Sequence, residues 1–293
     1  MSTSPSSAAA LGGYNSLVNS STDDRDKELV IRQVTPDIVT FSVPFTRAGV
    51  VPIGGRSTAI RIPRPPKPSV TEGGIQPAPQ TSQSTDSTGS QVLVYASTPL
   101  TKATIEALKG LGEVKWLVTP DGEHTMYIQE YVDHYPNAQA IGVERCKDKK
   151  SNISWAGIFG PKDDGENKKY GFEPEVSLHQ VSAHVNHELT AIHHPSGTFI
   201  QADLLFNLPP TEQFSRAGGI PTLFKWLGGG KSMSPGGQVH DLMANQITKD
   251  KDLIKRELQP IITAKWDRII PCHGDVIETG GRVAWEKVWG KFE

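Results

Sequence analysis

The sequence predicts an α/β protein in which strands pack against helices, and three observations carry that prediction. Short alternating apolar segments near the N-terminal end read as an antiparallel meander, a β-α-β-α-β rhythm follows, and a last set of strands closes with a C-terminal helix. With 293 residues, 36% of them hydrophobic, the chain is long enough to bury one large core.

Residues 1 to 26 are rich in Ser, Ala and Gly and are expected to form a disordered tail, since little apolar surface offsets the entropy of ordering them. From 27 to 293 one domain is expected. ELVIRQV, DIVTFSV and TAIRIP form the meander, broken at Pro36, Pro44 and Gly54-Gly55. The stretch from about 63 to 90 carries almost nothing apolar and is expected to be a disordered insertion in a hairpin, because VLVY resumes a strand at 92.

Thr101 is a candidate N-cap for a helix carrying Ile105 and Leu108, which Gly110 and Gly112 end. The strand VKWLVTP, a helix with its stripe at Tyr127, Ile128, Tyr131, Val132 and Tyr135, and the strand AQAIGV complete the alternation. Between Glu144 and Glu175 the polar, glycine-rich chain predicts irregular loop. ELTAIHH and TFIQADLLF are strands joined by a tight turn at Pro195-Ser196-Gly197. Helices are expected at 220 to 227 and 245 to 264, then the strand IIPCHG, then a final helix in RVAWEKVWGKF.

Charge and cysteine content exclude several classes. Thirty basic against 32 acidic residues leave no broad electropositive face, so neither nucleic acid nor an anionic membrane surface is an expected partner. Two cysteines, Cys146 and Cys272, rule out a disulfide framework and a paired-cysteine zinc knuckle. With no early basic cluster and no apolar run of membrane-spanning length, a cytoplasmic location and a small-molecule substrate are expected. GGGKS at 228 to 232 lacks the leading glycine of a phosphate-binding loop, Lys225 standing in its place, and reads as a plain flexible loop.

Chemistry points to histidine. Five of the nine histidines, 179, 184, 187, 193 and 194, fall within sixteen residues, and neutral imidazole is the commonest protein donor to zinc. Neighbours on a strand face opposite ways, so His193 and His194 do not both enter one site. Asp203 ends an apolar strand, where a carboxylate is costly unless it is paired or bound to a cation, or where it simply starts a solvent-facing turn. His273 ends IIPC beside Gly274, a residue that lets the backbone turn sharply. By strand alternation Cys272 then faces away, as a buried thiol.

A strand ending in Asp203 and a late PCHGD resemble the metallo-β-lactamase-like superfamily, over about 28 to 293. The resemblance implies a four-layer αβ/βα sandwich. It implies that Asp203 matches the bridging aspartate, His273 the final histidine, and His184 the third histidine, with His187 its near competitor. The HxHxDH signature is mostly missing. In VTPDGEHT, Pro120 and Gly122 replace its two histidines, His124 takes the aspartate's place and Thr125 that of the last histidine. One site of His124, Asp203 and His273 is left, with Asp121 or Glu123 as further ligand or general base. Three functions follow as expectations. They are a hydrolase of small esters, amides or phosphoesters using one zinc, iron or manganese ion, a metal-free binding or scaffold protein, and an iron-dependent redox protein.

Overall fold

Alternation decides the first sheet. A computed structural model describes residues 7 to 64, 89 to 226, 228, 230 to 248 and 250 to 292. In it β1 (Val30–Thr35) turns at Pro36-Asp37 into β2 (Ile38–Val43), and the two pair antiparallel. A small hairpin of β3 (Thr46–Arg47) and β4 (Val51–Pro52) stands off the sheet before β5 (Gly55–Ile62) returns antiparallel to β2. Next, β6 (Gln91–Tyr95) pairs with β5, while the insertion expected at 63 to 90 lies mostly outside the described residues.

From β6 the chain alternates as expected through β7 (Glu113–Val118) and β8 (Gln139–Val143), which run parallel to one another. Helix α2 (Lys102–Leu111) is capped by Thr101, whose side chain accepts from the Thr104 amide, and α3 (Ile128–His134) follows β7. The segment 144 to 175 is less irregular than its composition predicts. It holds α4 (Glu144–Lys149) and β9 (Trp155–Phe159), which completes a seven-stranded sheet in the order β1-β2-β5-β6-β7-β8-β9. Pairing with β8 supplies what WAGIF lacks in local pattern.

The second sheet has the order β10-β11-β12-β13, from β10 (Val176–Val181), β11 (Glu188–His193), β12 (Thr198–Gln201) and β13 (Arg268–Pro271). The turn at 195 to 197 joins β11 to β12 antiparallel, and β12 runs parallel to β13. Short α5 (Thr222–Trp226) stands where a helix is expected. The pattern at 245 to 264 is split instead into α6 (Gln238–Ile247) and α7 (Lys251–Thr263), because the Asp250 carboxylate accepts from the Asp252 and Leu253 amides and starts a new helix. Helix α8 (Gly281–Trp289) closes the chain.

Residues 1 to 6 of the disordered tail expected at 1 to 26 lie outside the described residues; from 7 on the chain forms α1 (Ser7–Ser20) and a 3-10 turn at Asp24–Glu28. Three consecutive alanines favour the helix, and Tyr14, Leu17 and Val18 pack onto the apolar cluster shared by β2 and α2. Asp26 is buried there and accepts from the Ala103 amide at the head of α2.

Three clusters define the layers. One lies between the two sheets, with Tyr95, Trp116, Ile200 and Ile270. A second lies under α1, α2 and α3 on the outer face of the first sheet, and a third under α6, α7 and α8 on the outer face of the second. The result is a four-layer αβ/βα sandwich. Among the described residues no helix is long and apolar enough to cross a membrane.

Candidate metal centre

Strands β7, β12 and β13 all end at one rim; β12 and β13 deliver Asp203 and His273 two residues past their ends, and the turn after β7 delivers His124. Beyond β7 the Asp121 carboxylate shapes the turn, accepting from the backbone amides of Glu123 at 2.6 Å and His124 at 2.9 Å. The turn is tied to the other sheet, since Pro120 accepts from the Leu189 amide at 2.7 Å. This brings His124 to the rim, with its Nδ1 2.8 Å from Asp121 Oδ2. Asp121 is fully buried, and its carboxylate is spent on this turn and this ring.

Past β13, the Gly274 backbone takes φ +93°, and a Cβ there would lie 2.2 Å from the Asn207 carbonyl oxygen. Only glycine fits, and the turn it makes aims His273 inward. His273 Nδ1 donates to the Gly54 carbonyl at 2.6 Å. Gly54 itself needs φ +72°, and a Cβ on it would collide with Gln213 at 1.9 Å. Gln213 is buried and holds both sides of the turn, its Nε2 donating to the Cys272 carbonyl and its Oε1 accepting from the Gly274 amide.

Past β12, Asp203 is placed by Glu188, whose carboxylate oxygens accept from the Ala202 and Asp203 amides at 2.7 and 2.8 Å. Burial, with the Asp121 and Asp203 carboxylates nearby, pushes Glu188 well above the usual carboxyl range. Asn186 donates to Asp203 Oδ2 at 2.6 Å, while Asp203 Oδ1 is buried without a hydrogen-bond partner.

The Nε2 atoms of His124 and His273 face each other at 3.2 Å, and His273 Nε2 lies 3.3 Å from Asp203 Oδ1. One donor atom from each of His124, Asp203 and His273 lies within 4.8 Å of the others, a spacing that one metal ion can span. Burial works against a charge on His124, but the Asp121 and Asp203 carboxylates outweigh it and raise the imidazole to about 10. Burial opposes the charge on Asp203 as well, yet His124 and His273 hold it below the usual carboxylate range.

The other expected site residues fall elsewhere. His184 is buried beside the cluster but outside it, with Nε2 unpartnered and Nδ1 accepting from the Asn186 amide at 3.3 Å. His187 turns outward to Glu144 at 2.8 Å, so of the two competitors His184 is the nearer to the site. Glu123 reaches the rim and is paired with Arg145 and Lys149 at 3.1 and 3.0 Å, and Asp121 stands behind His124 with its carboxylate bonded to the turn and the ring. Cys272 lies in the core between the sheets. Sequence reasoning missed Asn186, Glu188, Gln213 and the Gly54 carbonyl. HVNHEL carried a weak signal for the first two, polar residues inside an apolar pattern, and nothing marked the last two.

The remaining clustered histidines are structural. His179 and His194 share the Ser177 hydroxyl, and His193 bonds Ser196. Burial, then the nearby His194, lowers His179 to about 4, and burial likewise lowers His193 and His240. The unfolded chain takes up these protons near pH 6.5, which the folded chain refuses until lower pH. The stability these three histidines contribute is therefore fully present above about pH 6.5 and is lost as pH falls toward about 4, whereas the raised His124 and Glu188 contribute stability that is lost as pH rises. Acidification from pH 7.5 to pH 5.0 is expected to shift the urea midpoint less favourably in wild type than in His179→Gln; identical shifts in the two proteins contradict it.

The centre opens into a cavity of about 440 Å³, lined by Phe45, Ile53, Pro99, Met126 and Tyr127 as well as by the cluster. No family model and no curated protein matches the sequence. Solved structures do match in shape. VMB-1 superposes with a TM-score of 0.52 at 8% identity, over 89% of this chain and 95% of its own. A metallo-β-lactamase from Pontibacter korlensis gives 0.48 at 10%, over 89% and 97%. The flavodiiron core of Flv1 from Synechocystis sp. PCC6803 gives 0.51 at 8%, over 90% of this chain and 60% of its own. Identities this low speak for architecture alone, and the architecture of this chain is the metallo-β-lactamase fold.

Proposed function

We propose that this protein is a hydrolase of small esters, amides or phosphoesters that works with one metal ion held by His124, Asp203 and His273. The observation that carries the reading is the pair of facing imidazoles. Each ring has Nδ1 committed to an acceptor, Asp121 Oδ2 or the Gly54 carbonyl, which leaves a lone pair on each Nε2. Two lone pairs 3.2 Å apart in a buried site repel each other unless a cation or a proton stands between them. The orphaned Asp203 Oδ1 supplies the third donor, and three protein donors with one open position suit hydrolytic chemistry.

A zinc, iron or manganese ion bound there supplies Lewis acidity and a water acidic enough to ionise near neutral pH. The chain's own groups do the rest. Asp121 and Gly54 fix the two rings, and Asn186 takes one oxygen of Asp203 and leaves the other free.

The same donor set favours a second reading. Two histidines and one carboxylate with open positions are also the ligands of non-haem iron oxygenases, so an iron-dependent redox protein stands as the alternative. Elemental analysis of protein purified without added metal tests both. About one equivalent of zinc or manganese is expected for the hydrolase, and coloured protein with iron for the alternative. Less than about a tenth of an equivalent, with a melting temperature unchanged by a chelator, overturns both in favour of a metal-free scaffold.

A further inference from the structure

Most of the cavity wall is not polar. Val43, Pro44, Phe45 and Ile53 come from the hairpin side, and Pro99 and Met126 complete the apolar surface. Two of these side chains are exposed although large and apolar: Phe45 at 39% and Met126 at 62%. Burying each against a ligand removes apolar surface from water, which is the ordinary meaning of such exposure at a cavity mouth.

The wall is also joined to the centre. The Phe45 carbonyl accepts from the Ile53 and Gly54 amides at 3.0 Å each, closing the hairpin, and the Gly54 carbonyl then receives the His273 proton. The Phe45 ring stacks over His273 with centroids 6.4 Å apart. Met126 follows His124 by two residues, so the apolar surface borders both imidazoles. At the rim stand Glu28 and Arg47, neither with an ion-pair partner among the described residues. Their charges are opposite, so the rim selects no net charge and the discriminating surface is the apolar one.

We infer that the site takes an ester with an uncharged apolar acyl chain of several carbons, and that Phe45 and Met126 grip the chain. The inference rests on the hydrolase reading for its reaction but not for its binding. Hydrolysis forms one bond from the oxygen of water to the acyl carbon and breaks the acyl carbon to alcohol oxygen bond. The alcohol leaves with one of the protons of water, the free acid remains, and no redox partner is consumed.

The test separates binding from turnover. Binding of butanamide and octanamide to metal-free wild-type protein is measured by calorimetry. Each fully buried methylene is worth roughly fourfold, so four extra carbons give roughly 200-fold at full burial and at least about tenfold for a half-covered chain. Phe45→Ser and Met126→Ser, changes at partly or largely exposed positions, are each expected to cut that preference at least about threefold while the melting temperature stays within roughly 2 °C. Equal affinity for the two amides, or a preference untouched by both substitutions, overturns the inference. Turnover of p-nitrophenyl acetate, butyrate and octanoate by metal-loaded protein is read in parallel, and kcat/KM is expected to rise with chain length. An octanamide preference without ester turnover supports the acyl pocket and removes the hydrolase reading alone.

Discussion

Replacing His273 with alanine is expected to empty the centre, leaving less than about a tenth of an equivalent of metal after purification. Of the three donors His273 is the most rigidly presented. Its Nδ1 is fixed by Gly54, its backbone by Gln213 and Asn207, and its ring packs edge-on to Phe206 with centroids 5.0 Å apart. Alanine removes one of the three donors. Asp203→Ala is expected to do the same, because it removes Oδ1, the buried carboxylate oxygen that has no hydrogen-bond partner. Asp121→Asn is the instructive contrast. It keeps all three donors and weakens only the partner behind His124, so binding is expected to fall about 10- to 100-fold with stoichiometry retained at saturating metal. Elemental analysis and competition with a chelator measure these effects. Full metal content in both His273→Ala and Asp203→Ala overturns the assignment.

Arg56→Met is expected to cost the most stability, about 3 to 5 kcal/mol, because it breaks a buried charge network. Arg56 is 1% exposed. Its Nε donates to Ser42, its Nη2 lies 3.2 Å from Glu212 Oε1, and its Nη1 donates at 2.6 Å to each of the Pro271 and Gly274 carbonyls. Without it those two carbonyls lose this donor inside the core, and Glu212 keeps the Ser42 hydroxyl but only Arg32 as a charged partner. The melting temperature is expected to fall by about 5 to 8 °C for a chain of this size. Since the two carbonyls flank Cys272 and His273, the same substitution is expected to loosen metal binding as well. Arg56→Lys restores the charge but not the fork that joins the two carbonyls, Glu212 and Ser42 at once, and is expected to recover only part of the stability. Thermal unfolding of the two variants checks this, and an unchanged melting temperature for Arg56→Met contradicts it.

The parts of the structure legible in the sequence are those with local causes. Period-two segments became strands, Thr101 became the cap it is spaced to be, and Gly274 turns the chain beside His273 because no other residue tolerates that backbone. The strand β9 and the helix α1 were not legible. WAGIF is held by the neighbour it pairs with, and α1 by apolar residues whose receiving surface is built from β2 and α2. In the candidate centre, His273 and Asp203 were marked by their position at strand ends. Nothing local distinguished His184 from His187; a positive φ of 56° and the contact with Glu144 send His187 outward.

The sequence by itself determined the order and type of most elements, the turn at His273 and the loss of the HxHxDH pattern, because each depends on residues a few positions apart. Only the tertiary structure decided that His124 and His273, 149 residues apart, face each other across 3.2 Å, and that Asp121 and Glu123 are occupied elsewhere. It also decided that Arg56 and Gln213 brace the turn. The physical reason is that sheet order and register bring distant strand ends to one rim, and side-chain alternation along a strand says which face a residue takes but not what it will meet there.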